Sequence, residues 1–208
     1  MPVFAPGVSY TQLQLKPPLG LRTTISKQNI QNAMSLIGTD NITEVKWGLI
    51  YYACPTTNTN CSQPSQAIET DLIYNGSQFY LQVTIGTYYV SSPITLQYNY
   101  PLNPDNLTDA VIDVYFQGKN IQVYCNGKLL FSTDMLKDVG SIQQLTSDSA
   151  YLNANGQTVS GNNDYLTFNV QFLPVLNISK IIDIIIPIAV VFSIVAFLPR
   201  LLSRVKPA

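Results

Sequence analysis

The stretch AVIDVYFQGKNIQVYCNGKLLFST, residues 110–133, decides the fold of this 208-residue chain. Apolar and polar side chains alternate along it, which is typical of half-buried β-strands. Asn126-Gly127 is a residue pair that favours a two-residue type I′ turn, and such a turn predicts that Val123 pairs with Leu130. The resulting three-stranded meander has one strongly apolar face, formed by Ile112, Val114, Phe116, Ile121, Val123 and Leu130.

The opposite face of this meander is apolar enough to predict that a second layer or a partner covers it. It consists of Val111, Tyr115, Tyr124, Leu129 and Phe131. A short helix is predicted at 26–38, with Ser26 as its cap and Gly38 as its stop, and a long loop at 146–164. Further strands are predicted at 7–26 (two short strands), 45–54, 66–74, 77–86, 87–100 and 164–173. Eight or more strands and one helix predict an all-β sandwich or jelly roll.

Composition excludes several classes of function. Charged residues make up 11% of the chain, the net charge is −1, and there is no His. Since no cluster of Lys or Arg precedes Arg200, the sequence predicts no nucleic-acid partner. The lack of His excludes the usual Ser/His and Cys/His catalytic pairs, and the sequence has neither a glycine-rich phosphate loop nor an acidic metal loop. We therefore expect no catalytic residue, no metal and no cofactor.

The cysteines and the glycosylation motifs indicate an exterior, oxidising environment. Cys54 and Cys61 bracket the short loop CPTTNTNC, and we predict a disulfide between them. Cys125 lies in an apolar strand and is predicted to be a buried free thiol. Asn-X-Ser/Thr motifs, if they are used, place residues 41 to 177 on one exterior surface. These motifs begin at Asn41, Asn60, Asn75, Asn106 and Asn177.

Residues 181–202 contain only two charges, Asp183 and Arg200, and predict a single transmembrane helix. As an α-helix they would span about 33 Å, which matches the hydrocarbon core of a bilayer. Asp183 marks the outer boundary of this segment. Arg200, Arg204 and Lys206 follow it and place the C-terminus on the inner side of the membrane.

These features predict two parts of the chain, an exterior β-domain over residues 1–174 and a membrane anchor with a basic tip over 175–208. The N-terminus, MPVFAPGVSYTQLQLKPP, has no basic region that leads into an apolar one, so no ordinary secretory signal is visible. Either a signal was removed before the numbering begins, or the tail inserts after synthesis, or the membrane belongs to a virus particle or another assembly with its own sidedness.

The segment IQVYCNGKLLFS, residues 121–132, resembles a strand pair of concanavalin A-like sandwiches, which include laminin G modules and the laminarinase family of endo-β-glucanases. The resemblance implies a jelly-roll sandwich. In the glucanases one strand of the form Glu-x-Asp-x-(x)-Glu supplies the catalytic carboxylates. This chain has Glu69-Thr70-Asp71, but residues 72–74 carry no third carboxylate. Two strand carboxylates that face solvent are expected instead, and a degenerate glucanase is a third hypothesis for the function.

Sandwiches of this kind often bind sugars, so a glycan-binding attachment module is the alternative function. Tyrosine rings stack on sugars, although strands also favour tyrosine at half-buried positions for packing alone. The candidate tyrosines are Tyr51, Tyr52, Tyr80, Tyr88, Tyr89, Tyr98 and Tyr100.

The low-charge, His-free β-domain, followed by one C-terminal span that ends in RLLSRVKPA, resembles membrane-anchored virion proteins of archaeal, spindle-shaped viruses. The resemblance implies a non-enzymatic structural protein, such as a capsid, tail-adaptor or spike-base component, in a virion envelope or cell membrane. The partners implied are further copies of the chain in a homo-oligomer, other virion proteins, the lipid membrane and a host glycan.

Overall fold

The computed structural model describes residues 3–4, 9–39, 41–55, 64–87, 95–102, 108–135, 138–147, 150–153, 158–159 and 166–175. Within these ranges the chain forms one helix, α1 (Lys27–Met34), and fourteen strands. The strands are β1 (Val3–Phe4), β2 (Ser9–Leu15), β3 (Leu19–Ile25), β4 (Ile42–Pro55), β5 (Gln66–Tyr74), β6 (Phe79–Thr87), β7 (Thr95–Leu102), β8 (Ala110–Gln117), β9 (Asn120–Cys125), β10 (Lys128–Asp134), β11 (Val139–Ser147), β12 (Ala150–Asn153), β13 (Thr158–Val159) and β14 (Phe168–Leu173).

The smaller of two antiparallel sheets has the strand order β1-β14-β3-β8-β9-β10 and contains the meander. Asn126 and Gly127 have φ angles of 49° and 79°, as a type I′ turn requires, so the predicted turn is confirmed. The Asn126 side chain also accepts a hydrogen bond from the amide of Val111 at 2.8 Å. The turn is thereby tied back to the start of β8.

The predicted pairing of Val123 with Leu130 is wrong, because Val123 lies opposite Phe131. A register shift between Leu129 and Phe131 places one extra residue in β10, as in a β-bulge. Phe131 therefore turns to the inner face and is buried, whereas Leu129 stays 46% exposed. The outward face of the meander remains partly exposed, so the predicted cover over it is not present in the described part of the chain.

The larger sheet has the order β13-β12-β4-β5-β6-β7, and β11 joins β4 to β2. Because β4 is 14 residues long, one edge of it accommodates two strands: β12 pairs with its first residues and β11 with its last. The prediction of a long loop at 146–164 is wrong, since these residues contain the end of β11 and the strands β12 and β13. In β11 the buried residues Val139, Ile142 and Leu145 recur every third position, because two register shifts interrupt its pairing with β4.

The two sheets pack face to face around a single apolar core, which confirms the predicted all-β sandwich. The ring of Tyr51 in β4 lies 5.5 Å from that of Phe116 in β8, measured between centroids. At the other side of the core, Tyr98 of β7 lies 4.5 Å from Phe131 of β10. Inward residues of both sheets are fully buried, which leaves each sheet with one outward face for polar groups.

Helix α1 packs against this core. Its predicted cap is confirmed, since the Ser26 hydroxyl accepts a hydrogen bond from the amide of Asn29 at 3.1 Å. Ile30 and Ala33 are buried against the sheets. The helix ends at Met34, four residues before the predicted stop at Gly38, and residues 35–38 form turns.

The chain divides into two compact units, Met1–Leu173 and Pro174–Ala208. Of the second unit only Pro174 and Val175 belong to the described residues. No helix among the described residues is long and apolar enough to cross a membrane. The predicted span at 181–202 lies outside those residues and stays a prediction.

Candidate functional site

The outward side of the larger sheet carries polar side chains on each of β4, β5, β6 and β7. Neighbouring strands lie about 4.8 Å apart, so these four strands give a surface about 14 Å wide. The register aligns the outward residues in cross-strand rows, one being Gly48–Asp71–Gln82–Asn99 and the next Lys46–Ile73–Tyr80–Pro101. We call the following six residues the polar face: Lys46, Glu69, Asp71, Tyr80, Gln82 and Asn99.

Ionic contacts organise the β4–β5 half of the polar face. The Lys46 ammonium lies 3.6 Å from a carboxylate oxygen of Glu69 and 3.9 Å from one of Asp71. The Asp71 side chain is only 2% exposed, so it forms the floor of the face beneath the lysine. The expectation that both carboxylates face solvent is therefore wrong for Asp71, because Lys46 and the neighbouring outward side chains cover it.

An amide pair occupies the β6–β7 half. The side-chain nitrogen of Gln82 donates a hydrogen bond to the side-chain oxygen of Asn99 at 3.1 Å. Each amide still has one group for a ligand, the Gln82 oxygen as an acceptor and the Asn99 nitrogen as a donor. The hydrogen bond links the two amides across neighbouring strands.

Tyr80 stands beside these amides and within reach of the ionic cluster. Burial raises the pKa of its hydroxyl, Glu44 and Asp71 raise it further, and Lys46 opposes them. Glu44 lies at the start of β4, beyond the polar face, and burial also raises the pKa of its carboxyl while Lys46 lowers it. Negative charge therefore predominates around the tyrosine.

A pocket of about 370 Å³ adjoins the polar face at Tyr80. The turn that forms its rim is held by Asn75, whose side-chain oxygen accepts hydrogen bonds from the amides of Ser77 at 3.2 Å and Gln78 at 2.8 Å. Gly76 adopts a φ of 87° in this turn, which favours glycine. The pocket is lined by Ser77, Gln78, Phe79, Tyr80, Asn99, Pro101 and Leu102.

The structure separates the candidate tyrosines into two groups. Tyr52 and Tyr80 point outward, so they remain candidates for stacking on a sugar. Tyr51 is fully buried, and Tyr98 and Tyr100 pack inward on Phe131, so the prediction is wrong for these three. The reason is the strand register, which assigns odd and even positions of β4 and β7 to different faces. Two further candidates, Tyr88 and Tyr89, lie outside the described residues.

Cys54 lies buried in β4, and Cys125 is a buried free thiol as predicted. Since Cys61 is outside the described residues, the disulfide stays a prediction. Asn41 and Asn75 are exposed. The remaining predicted glycosylation and membrane-boundary residues lie outside the described part and are Asn60, Asn106, Asn177, Asp183, Arg200, Arg204 and Lys206.

Sequence reasoning missed Lys46, Gln82 and Asn99 altogether. Each is an ordinary polar residue on an alternating strand, and only the register of β4 to β7 brings them to one surface. Alternation in residues 66–74 was the available signal, because it already placed Glu69 and Asp71 on the same side of a strand.

No protein-family model and no curated protein matches the sequence. Among solved structures, the chain is similar to sheep galectin-11 in complex with glycerol, with 9% identity, a TM-score of 0.49 and coverage of 82% of this chain and 99% of that one. It is similar to toad ovary galectin in complex with N-acetylgalactose, with 13% identity, a TM-score of 0.44 and coverage of 81% and 100%. A native glycosidic hydrolase gives 12% identity, a TM-score of 0.44 and coverage of 81% and 70%. At such scores both fold and function have to be argued from the residues of this chain.

Proposed function

We propose that this protein is a non-enzymatic glycan-binding module that holds its ligand on the polar face. The observation that carries the proposal is the polar face itself, where two hydrogen-bonded amides and two carboxylates lie near an outward tyrosine. Sugars offer many hydroxyl groups and apolar ring faces. Planar amide and carboxylate groups bind the hydroxyl groups, and an aromatic ring packs on the apolar face of the sugar ring.

The shape of the surface supports the same function. The pocket beside Tyr80 gives a concave place for one sugar ring, as small-molecule sites usually require. The remaining polar face continues across the strands toward Lys46, so a ligand of more than one sugar unit finds polar partners along its length.

The surroundings of Glu69 and Asp71 favour a role in sugar binding over a role in sugar hydrolysis. Glycoside hydrolysis needs one protonated carboxyl as a general acid. Here an ammonium group lies within 4 Å of both Glu69 and Asp71, and a cation at that distance favours the ionised form. We therefore propose that Glu69, whose side chain is 25% exposed, accepts hydrogen bonds from sugar hydroxyls, that Asp71 supports Lys46 beneath the ligand, and that no bond of the sugar is cleaved.

A glycan array with the full chain in detergent micelles tests the proposal. We expect Tyr80→Ala and the double variant Gln82→Ala/Asn99→Ala each to weaken binding about 10-fold, because each removes on the order of 1.4 kcal/mol of contact. Matched controls on the smaller sheet are Tyr124→Ala and Gln122→Ala, which should leave binding unchanged. Retained affinity in the polar-face variants, or no binding to any glycan, would contradict the proposal.

A structural role in a virion envelope is the second candidate, and the apolar segment at 181–202 favours it because such a segment would attach the β-domain to a membrane. Under both candidates we propose a surface location, with the β-domain exterior and the C-terminus interior. Light scattering of the full chain in detergent separates the two roles. A closed oligomer that binds no glycan would favour assembly over attachment.

A further inference from the structure

We infer that the glycan bound on the polar face is uncharged or carries a free amino group, and that sugars bearing carboxylate or sulfate groups are rejected. This inference rests on the proposed function and names the class of ligand. It follows from how the charges of the larger sheet are distributed and paired.

Lys46 is the only Lys or Arg within β4, β5, β6 and β7 as the structure describes them. Three carboxylates lie on the same outward side, those of Glu44, Glu69 and Asp71. The outward side of β4 and β5 therefore has an excess of two negative charges, and two of the three carboxylates, Glu44 and Asp71, act on Tyr80. An anionic sugar placed there is repelled, since the carboxylates outnumber the one lysine and that lysine is paired with two of them.

The single cation is already engaged. Its ammonium contacts both Glu69 and Asp71, at 3.6 and 3.9 Å. An incoming sulfate or carboxylate would compete with Glu69 and Asp71 for this one ammonium, and the Asp71 side chain is 2% exposed. Separation of a buried carboxylate from its cation is strongly unfavourable. The lysine thus stabilises the floor of the site and does not serve as an anion receptor.

The negative potential extends to the ligand position. Burial is the main cause that raises the pKa of the Tyr80 hydroxyl; Glu44 and Asp71 raise it further and Lys46 lowers it, so the field of both carboxylates acts at the ring on which the sugar would stack. A sugar amine at that position gains attraction from the same field. Both effects are electrostatic, so they weaken as salt shortens the Debye length, from about 30 Å at 0.01 M to about 8 Å at 0.15 M.

Calorimetry on the full chain in detergent tests the inference with matched probes. The neutral parents are chitin and lactosamine oligosaccharides, and each is compared with its sulfated form. Lactosamine is also compared with its sialylated form, and chitin with its de-N-acetylated form, chitosan. We expect the acidic forms to bind at least about 10-fold more weakly than the neutral parents at 0.01 M salt. The amine form should bind as tightly as its parent or tighter, and added salt should narrow all of these differences.

Glu44→Gln provides the sharper test, because Glu44 contributes charge from outside the polar face. We expect this variant to reduce the neutral-to-acidic ratio about 2- to 3-fold and to leave affinity for the neutral sugar unchanged. The matched control is Asp134→Asn on the smaller sheet, which should leave the ratio unchanged.

The possible outcomes separate this inference from the proposed function. Equal or tighter binding of the acidic forms overturns the inference and leaves glycan binding in place. A neutral preference that responds neither to salt nor to Glu44→Gln also overturns it, because its cause would then not be electrostatic. Failure of every probe to bind overturns the proposed function, and the inference with it.

Discussion

The two outward faces of the sandwich differ in how their charged side chains are paired. On the smaller sheet, Arg22 forms two hydrogen bonds to the two carboxylate oxygens of Asp113, both at 2.7 Å. One cation there satisfies one carboxylate in the strongest geometry available to such a pair. On the larger sheet, Lys46 faces Glu69 and Asp71 at longer distances, with Glu44 adding charge beyond them.

The aromatic residues differ in the same way. On the smaller sheet, the Tyr115 ring lies directly over Gly20 and meets Tyr124 edge-on at 5.7 Å. It is thereby packed onto its own sheet. On the larger sheet, Tyr80 stands at the border of a pocket with polar groups around it. The comparison teaches that the smaller sheet packs its outward tyrosines against one another, whereas the larger sheet places one at the border of a pocket, as the proposed function requires.

Removal of the paired cation should have the largest effect on stability. Arg22→Ala leaves Asp113, whose side chain is 8% exposed, without its bidentate partner. We expect the free energy of unfolding to fall by about 2 kcal/mol, less than for a fully buried pair because Arg22 itself is 39% exposed. Urea denaturation measures this change. Glycan affinity should stay the same, and a loss of affinity would mean that the two faces are not independent.

Gly20→Val should have the next largest effect, because it disturbs the packing of Tyr115. A Cβ atom at Gly20 would lie 2.8 Å from the Tyr115 ring and 2.9 Å from Cβ of Leu173. We expect a loss of about 1–2 kcal/mol in the free energy of unfolding, since the ring has to move away. Thr24→Val, on the same side of the same strand, is the control and should change stability by less than about 0.5 kcal/mol. Equal effects would show that the close packing at Gly20 is unimportant.

The sequence predicts the strands that alternate strictly and the turn that needs particular residues. Asn126-Gly127 is a local signal, so the β9–β10 turn could be predicted without knowledge of the fold. The strand β11 could not, because its bulges give the apolar residues a spacing of three, which favours neither a strand nor a helix. The bulge after Leu129 likewise places Phe131 on the face opposite to the one that strict alternation predicts.

The candidate site is less predictable than the fold. Lys46 and Asn99 are far apart in sequence, and they share a surface only because β4, β5, β6 and β7 pair in one register. A shift of one residue in any of these pairings would turn a strand's polar residues into the core. Local patterns give the alternation within a strand, but not which strands become neighbours.

The smallest expected effect concerns the charge excess itself. Burial raises the pKa of Glu44 above its ordinary value and outweighs the attraction of Lys46, so the folded state disfavours the ionised carboxyl. An acid with a raised pKa costs stability above that pKa and none below the pKa of the unfolded chain. Glu44→Gln should therefore raise the free energy of unfolding at pH 7, by only about a few tenths of a kcal/mol because solvent screens this half-exposed group. The gain should vanish as the pH falls below 4.5, the ordinary pKa of glutamate.

Urea denaturation at pH 7 and at about pH 3.5 measures the stability gain from Glu44→Gln and its loss in acid, with Asp134→Asn as the control. If the variant is less stable at pH 7, attraction to Lys46 outweighs burial, and the larger sheet's charges are then as well paired as those of Arg22 and Asp113.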